Sequence, residues 1–320
     1  MKMQNYVVQK QLVSIHSEDR DIKKWPSSTL FDVELPVEYK TIVSLRLSDI
    51  ELPSNYYVFS LKNQNVKLTV HLGTSVQSIT ISDGTYSPYQ LSLELTGQLN
   101  TAFTTTNFQV YYNCVSMKFV FVNIVDSFSI DFSIAETYDA ISFYDQYTQW
   151  GFGSYLGFCK LLYTSTQKTP YSIFPDNIII DTGYVIEAPF TANLFGDSHI
   201  YMELDLYNSM DEIAPYTEKS NNIFNAKYSG KHNSAFAKIP TIAVANHKLY
   251  VSKETFLSNI FFSDPPLERI QKLKFRFRYH DGRPVDFGTT NFSFTIEITM
   301  LRPDSMKPPI CVHSNHYKLT

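Results

Sequence analysis

Residues 271–300 read QKLKFRFRYHDGRPVDFGTTNFSFTIEITM. On both sides of the polar break at 281–284, apolar side chains recur at every second position. A period of two places these side chains on one face of a pleated strand. The stretch therefore predicts two strands that pair with each other across a loop containing Asp281 and Gly282. Their shared apolar face requires a second sheet to cover it.

Alternating segments elsewhere in the chain supply that second sheet. Pro36 and Pro53 close two of these segments, and a strand is expected to stop at a proline. Eight antiparallel strands in two facing sheets form a single jelly roll. The predicted fold class is therefore all-β with an α+β insertion, and residues 208–233 are expected to form a polar loop. The eight predicted strands are 31–35, 42–52, 200–207, 236–240, 248–252, 259–262, 272–280 and 292–300.

Residues 56–160 change in pattern and predict the α+β insertion. Ser87 and Gln90 suit a capping box, and Pro88 suits the first helical position. Apolar residues then follow at helical spacing from Leu91. A hairpin before this helix and three short strands after it complete the block. The predicted divisions are a jelly-roll domain at 1–55 and 161–302, the insertion at 56–160 and a C-terminal tail at 303–320.

The composition indicates a folded protein and argues against several classes of function. Apolar residues make up 43% and charged residues 18% of the chain, as in globular proteins. The net charge of −4 gives no support for direct nucleic-acid binding. No apolar run approaches the ~18 residues of a membrane span. Three widely spaced cysteines favour a reducing compartment, so we expect synthesis in a cytoplasm.

Residues with catalytic or metal-binding chemistry do not form a recognisable site in the sequence. There is no Gly-rich phosphate loop and no nucleophile or zinc motif. Solvated surface is the better interpretation of each close group, because none combines a nucleophile, a base and an orienting group. We therefore expect no enzymatic activity, no cofactor and no metal. The groups considered are Ser14 with His16 and Asp19, His199 with Asp197, His280 with Asp281, and Glu136 with Asp139.

The arrangement of charge is more informative than its total. In jelly-roll order, strands one, three and eight share one sheet, and strands two, four and seven share the other. The outward residues of the first sheet are acidic and those of the second are basic, although both could be ordinary solvated faces. Oppositely charged faces favour a head-to-tail contact that closes into a ring. The predicted subunit-interface residues are Asp32, Glu34, Glu203, Asp205 and Glu297 on the acidic face, and Arg46, Lys238, Lys274, Arg276 and Arg278 on the basic face.

Short motifs lie at 15–21, 31–36, 43–47, 50–56, 156–158, 273–277, 281–282, 286–287 and 293–294. Together these motifs resemble capsid proteins of large icosahedral double-stranded DNA viruses. The resemblance covers most of the chain outside the insertion and the tail. It implies a penton or minor capsid protein, which is a single jelly roll at a five-fold vertex or beneath the major capsid shell.

The first function hypothesis is a structural virion protein, with a penton subunit preferred because a head-to-tail contact suits a ring. The expected partners are further copies of the chain in a homopentamer, the major capsid protein and other minor capsid proteins. The expected location is the capsid, assembled in the host cytoplasm, and a minor capsid protein is the alternative. A second hypothesis is a jelly-roll module that binds carbohydrate or a receptor. Trp150, Tyr147 and Gln149 are its candidate platform, although aromatic residues that anchor a loop explain the same pattern.

Overall fold

The computed structural model describes residues 6–53, 57–133, 151–167, 171–173, 178–180, 182–213, 232–241, 249–252, 260–280 and 282–303. The strands of the first half are β1 (Tyr6–His16), β2 (Leu30–Leu52), β3 (Lys67–Leu72), β4 (Ser75–Thr80), β5 (Phe108–Asn113), β6 (Lys118–Asn123), β7 (Phe128–Asp131), β8 (Leu162–Thr164) and β9 (Thr166–Gln167). Those of the second half are β10 (Tyr171–Ile173), β11 (Ile178–Ile180), β12 (Tyr184–Glu187), β13 (His199–Leu204), β14 (Met210–Ile213), β15 (His232–Ala235), β16 (Ala237–Pro240), β17 (Leu249–Ser252), β18 (Ile260–Arg278) and β19 (Ser293–Pro303). The helices are α1 (Pro88–Phe103) and α2 (Phe152–Leu156), with a short 3-10 turn at Ser17–Asp19.

Antiparallel sheets dominate the described residues, which confirms the predicted β class. The largest sheet has seven strands in the order β1-β19-β2-β18-β13-β16, and β17 also pairs with β2. Two four-stranded sheets follow the orders β4-β3-β7-β8 and β5-β6-β12-β9. The seven-stranded sheet, called the main sheet below, carries most of the segments that the sequence assigned to the jelly roll.

Two long strands replace four of the eight predicted strands. β2 continues through Pro36, and β18 continues through Pro265 and Pro266. The pairing of β2 with β18 shifts register opposite Pro36, and again between Phe262 and Leu267, where the other two prolines lie. A bulge leaves a residue out of the ladder, so the missing N–H of proline breaks no hydrogen bond there. The prediction that Pro36 ends a strand is therefore wrong.

The two strands of the 271–300 stretch are not neighbours. β2 lies between β18 and β19 and pairs with both. The prediction that they form a pair across the Asp-Gly loop is wrong, because alternation fixes which face a residue occupies but not which strand lies beside it. The ring centroids of Phe275 and Phe294 nevertheless lie 4.9 Å apart. The main sheet therefore curls around a common apolar interior, the first core.

A second core packs around α1. The helix begins as predicted, because the Ser87 side chain accepts from the Gln90 N–H and the Gln90 side chain accepts from the Ser87 N–H. Leu91, Leu95 and Leu99 are buried on one face of α1. The predicted hairpin and the three strands that follow the helix are also present, as β3 to β7. The local prediction for this segment is confirmed.

The second core extends past the predicted boundary at residue 160. It draws buried residues from Val58 through Leu194, including Ile186 and Ala188. β12 pairs with β6 and so belongs to a sheet of this core rather than to the main sheet. The chain returns to the main sheet at β13. The described residues of β12 and of the buried cluster beyond residue 160 therefore pack with the insertion.

The predicted polar loop at 208–233 begins and ends in strands. Met210–Ile213 pairs with His232–Ala235 in a two-stranded sheet. The Phe236 N–H donates to the Met202 carbonyl, which continues this hairpin directly into the main sheet. The hairpin places an acidic residue, Glu212, above the main sheet, and this position creates the site described next.

Candidate functional site

Arg278 lies at the centre of a buried ion-pair network. Its side chain is fully buried at the end of β18. The guanidinium donates to the Glu203 carboxylate on β13, to Glu212 Oε2 at 2.7 Å on β14, and to the Tyr279 carbonyl at 3.1 Å. Two carboxylates compensate one buried cation, so this network can stay charged in the interior. We call these residues, together with Tyr201 and His280, the buried network.

Tyr201 and His280 complete the buried network. The Arg278 guanidinium lies 5.1 Å from the ring centroid of Tyr201, within the range of a cation–π contact. The His280 ring Nδ1 contacts the second oxygen of Glu212, and half of the His280 side chain is exposed to solvent. Burial, together with the Glu212 charge, raises the pKa of Tyr201 to about 12. Tyr201 therefore stays a neutral phenol near neutral pH.

The charge state of Glu212 makes stability depend on pH. Burial alone would raise its pKa, but hydrogen bonding from His280 and the charge of Arg278 outweigh burial and lower the pKa below 4.5. A group with a lowered folded-state pKa stabilises the protein above its unfolded pKa, and this stabilisation is lost as the pH falls through the folded value.

We expect the free energy of unfolding of the native chain to fall as the pH drops below about 4.5. Glu212→Gln removes this contribution and should flatten the slope by up to about 1.4 kcal/mol per pH unit. Urea titrations at several pH values between about 3 and 6 measure the slope. Asp211→Asn, at the exposed neighbouring position, is the control and should leave the slope close to that of the native chain. Equal slopes in the native chain and Glu212→Gln would contradict the assignment.

The ten predicted interface residues do not form two faces of opposite charge. β13 pairs with β18 and β16, so the predicted strands three, four and seven lie in one sheet. Acidic residues lie directly across from basic ones, and paired positions in neighbouring strands share a face. The predicted segregation of charge is therefore wrong. The facing pairs are Glu203 with Arg276, Asp32 with Lys274, Glu34 with Lys272, and Glu297 with Arg46.

Ion pairs account for five of these ten side chains, those of Asp32, Glu203, Glu297, Arg276 and Arg278. Asp32 binds Lys24 and Lys272, at 2.9 and 2.8 Å. Glu297 binds Lys10 at 2.9 Å. Of the other predicted residues, Asp205 is exposed, and its N–H donates to the Lys274 carbonyl. The Lys238 ammonium lies 5.8 Å from the Tyr201 ring centroid.

A second polar cluster joins the two cores. Arg283 is buried and donates to Asp197 Oδ2 at 3.0 Å and to Asn63 Oδ1 at 3.3 Å. Lys62 forms an ion pair with Asp286 at 2.7 Å. Residues 62–63 belong to the second-core segment, whereas 283 and 286 lie between β18 and β19. These contacts hold the start of the second-core segment against the loop of the main sheet.

The other candidate groups are dispersed. Ser14 Oγ lies 3.4 Å from His16 Nε2 on the exposed side of β1, and His199 Nδ1 contacts Ser198. Among the residues that the structure describes, no three His, Cys, Asp or Glu side chains are grouped as metal ligands would be. Neither helix in the described part of the chain has the length and hydropathy needed to cross a membrane. Glu136, Asp139, Asp281, the platform of Tyr147, Gln149 and Trp150, and the tail from 304 lie outside the described residues.

Large apolar side chains remain exposed on the main sheet. Leu206 and Phe262 are 84% and 74% exposed. Each is next in sequence to one member of the ring pair Tyr207 and Phe261, whose centroids are 5.5 Å apart. Leu206 also has a φ of +71°, which a side chain with a Cβ rarely adopts. Covering these two side chains would remove apolar surface from water.

Comparison with known proteins finds a similarity between this chain and a solved structure. No protein-family model matches the chain, and no curated protein matches it. Among solved structures, the chain is similar to the crystal structure of the mavirus penton protein, with 10% sequence identity and a TM-score of 0.48. The alignment covers 93% of this chain and 100% of that chain.

Proposed function

We propose that the chain is a structural subunit of a viral capsid, without enzymatic activity and without direct nucleic-acid binding. It forms a jelly roll around the first core, and the segment around the second core is an appendage to it. Five copies assemble head-to-tail as a penton at the five-fold vertex, where they contact the major capsid protein and other minor capsid proteins. Its location is the capsid of the virion, assembled in the host cytoplasm.

The observation that carries this proposal is the position of the capsid-like motifs in the fold. In the 15–21 motif, Arg20 donates to the carbonyl of Ser17, the side chain of Asn291 and the carbonyl of Trp25, and so ties the connection between β1 and β2 to the residues just before β19. Gly157 of the 156–158 motif lies in the second core, where its carbonyl accepts from the Phe190 N–H. The motifs thus coincide with residues that shape the fold, where a chance resemblance is least expected.

The 286–287 motif supports the same conclusion. Asp286 binds Lys62 of the second-core segment, and Phe287 is buried in the first core. The exposed apolar residues Leu206 and Phe262 add a physical reason for assembly, because covering them removes apolar surface from water. A capsid subunit would cover such residues in its shell.

The mass of the purified full chain tests the ring. We expect light scattering after size exclusion to give a particle of five chain masses, and negative-stain images to show rings with five-fold symmetry. The ring fraction should increase with protein concentration, because assembly follows mass action. A monomer at every concentration up to about millimolar would contradict the proposed ring.

A cleft beside α1 favours a second candidate function, carbohydrate binding. The cleft has a volume of about 730 Å³, and its lining includes Asp83, Tyr86, Gln90, Glu94 and Gln98. Amide and carboxylate groups beside an aromatic ring can bind hydroxyl groups while the ring covers an apolar sugar face. A glycan-binding screen with the full chain tests this candidate, and a screen without a retained glycan contradicts it.

A further inference from the structure

We propose that the outer edge of β1 receives residues 310–319 of a neighbouring copy as an added antiparallel strand. β1 is the last strand of the main sheet, and no strand among the described residues pairs with its outer edge. Its residues 6–12 are exposed throughout, and Tyr6, Val7, Val8 and Leu12 are each more than half exposed. Proteins usually protect a long apolar edge of this kind, because it can pair with another chain.

The hydrogen bonds of β1 show which groups are available at this edge. The Ser17 N–H donates to the Phe292 carbonyl at 2.9 Å, and the register runs without a shift from His16 opposite Ser293 to Tyr6 opposite Pro303. Antiparallel pairs alternate between bonded and non-bonded positions. The odd-numbered residues of β1 therefore bond to β19, whereas the even-numbered residues direct their N–H and carbonyl groups outward. Val8 and Lys10 thus present donors and acceptors to an incoming strand. Leu12 adds its N–H, while its carbonyl accepts from the Gln11 side chain at 3.2 Å.

The tail has a sequence that suits this edge. Residues 304–320 lie outside the described residues, and they follow Pro303 directly. The sequence from 310 reads ICVHSNHYKL, in which Ile310 and Val312 occupy alternate positions. β-branched and aromatic residues favour strands. Pro308 and Pro309 precede this segment and prevent it from simply prolonging β19 as a paired strand.

Strand direction selects a neighbouring copy as the source of the segment. β19 ends at Pro303, opposite Tyr6, so a tail that turned back along its own β1 would run parallel to it. Parallel pairing is less stable per residue, and parallel strands are normally buried on both faces, whereas residues 6–12 of β1 are exposed on both faces. The segment of another copy can approach in the antiparallel direction. This inference rests on the proposed function, because a ring or shell supplies that copy.

Cross-linking of the full chain through its natural Cys311 tests the proposal. In a Cys114→Ser, Cys159→Ser background, Tyr6→Cys, Val8→Cys, Lys10→Cys and Leu12→Cys are introduced one at a time and oxidised with glutathione disulfide. We expect at least one position to form disulfides between two chains, seen as doubled mass on a non-reducing gel and mapped to Cys311 by mass spectrometry. Disulfides within a single chain only, or none at any position, overturn the proposal.

Two matched substitutions of Val8 distinguish an added strand from a contact that needs no backbone hydrogen bonds. In the Leu12→Cys chain, Val8→Pro removes an outward N–H and no bond to β19, so cross-linking should fall about tenfold. Val8→Thr keeps the N–H and should stay within about twofold. Equal effects of the two substitutions overturn the added strand. Light scattering on the same samples distinguishes the two proposals: rings without cross-links overturn this inference alone, whereas monomers without cross-links overturn the ring as well.

Discussion

Replacing Arg278 with alanine is expected to lower the free energy of unfolding by about 3–5 kcal/mol. The substitution removes the cation from the buried network and leaves Glu203 and Glu212, both buried, without their shared partner. An uncompensated buried charge is among the most destabilising single changes, because the carboxylate has lost its water without gaining a partner. Urea titration followed by circular dichroism measures the loss.

Arg276→Ala is the matched control for Arg278→Ala. Arg276 lies on the same strand and shares the partner Glu203, at 3.8 Å, but a quarter of its side chain is exposed. Water screens such a pair, so the expected cost is about 1 kcal/mol or less. A cost equal to that of Arg278→Ala would show that burial of the network does not set the energy.

A combined variant separates lost charge compensation from lost packing. Arg278→Met together with Glu203→Gln and Glu212→Gln removes all three charges and keeps similar volumes. Buried ion clusters replaced by neutral groups often retain stability, so most of the loss in Arg278→Ala should be recovered. A triple variant as unstable as the single one would mean that the unpaired carboxylates are not the cause.

The buried network also shows where sequence reasoning reached its limit. Arg278 alternates with Phe277 and Tyr279, and alternation correctly places it on the opposite face of β18. That face was expected to be solvated. The structure covers it with Glu212, because the β14–β15 hairpin packs over the main sheet at this point. The ring of Tyr201, directly opposite on β13, lies beside the guanidinium. Alternation along one strand contains no information about what covers its outer face.

Patterns of adjacent residues predicted helix starts and strand segments well, but they did not predict which strands lie side by side. The capping residues Ser87 and Gln90 identified the start of α1 because the cap depends only on adjacent residues. The order of strands in the main sheet depends on contacts between distant segments, such as Ser17 with Phe292. The charge prediction failed for the same reason: its residues were assigned to faces through an assumed strand order. Glu212 could have been suspected only from the acidic pair Asp211-Glu212 between Met210 and Ile213.

Replacing Gly157 with alanine is expected to cost about 3 kcal/mol or more in the stability of the second core. Gly157 ends α2 with a φ of +90°, which L side chains rarely adopt. A Cβ at this position would lie 2.2 Å from the Phe190 carbonyl oxygen, so the backbone at 190 would have to move. That movement would also stretch the hydrogen bond from the Phe190 N–H to the Gly157 carbonyl. Strain and steric overlap therefore act together.

The same Gly→Ala substitution at two further glycines distinguishes the cost of backbone strain from the cost of steric overlap. Gly73 has a φ of +58° but nothing within 4 Å of the added Cβ, so Gly73→Ala should cost only the conformational strain, about 1–2 kcal/mol. Gly97 lies inside α1 with the same open space, and Gly97→Ala should stabilise by about 0.5–1 kcal/mol. Urea titration gives the three energies, and hydrogen exchange of β5 and β6 shows whether the second core opens. Equal costs for Gly157→Ala and Gly73→Ala would contradict the close approach of residues 157 and 190, because that contact should add to the cost of the strain at Gly157.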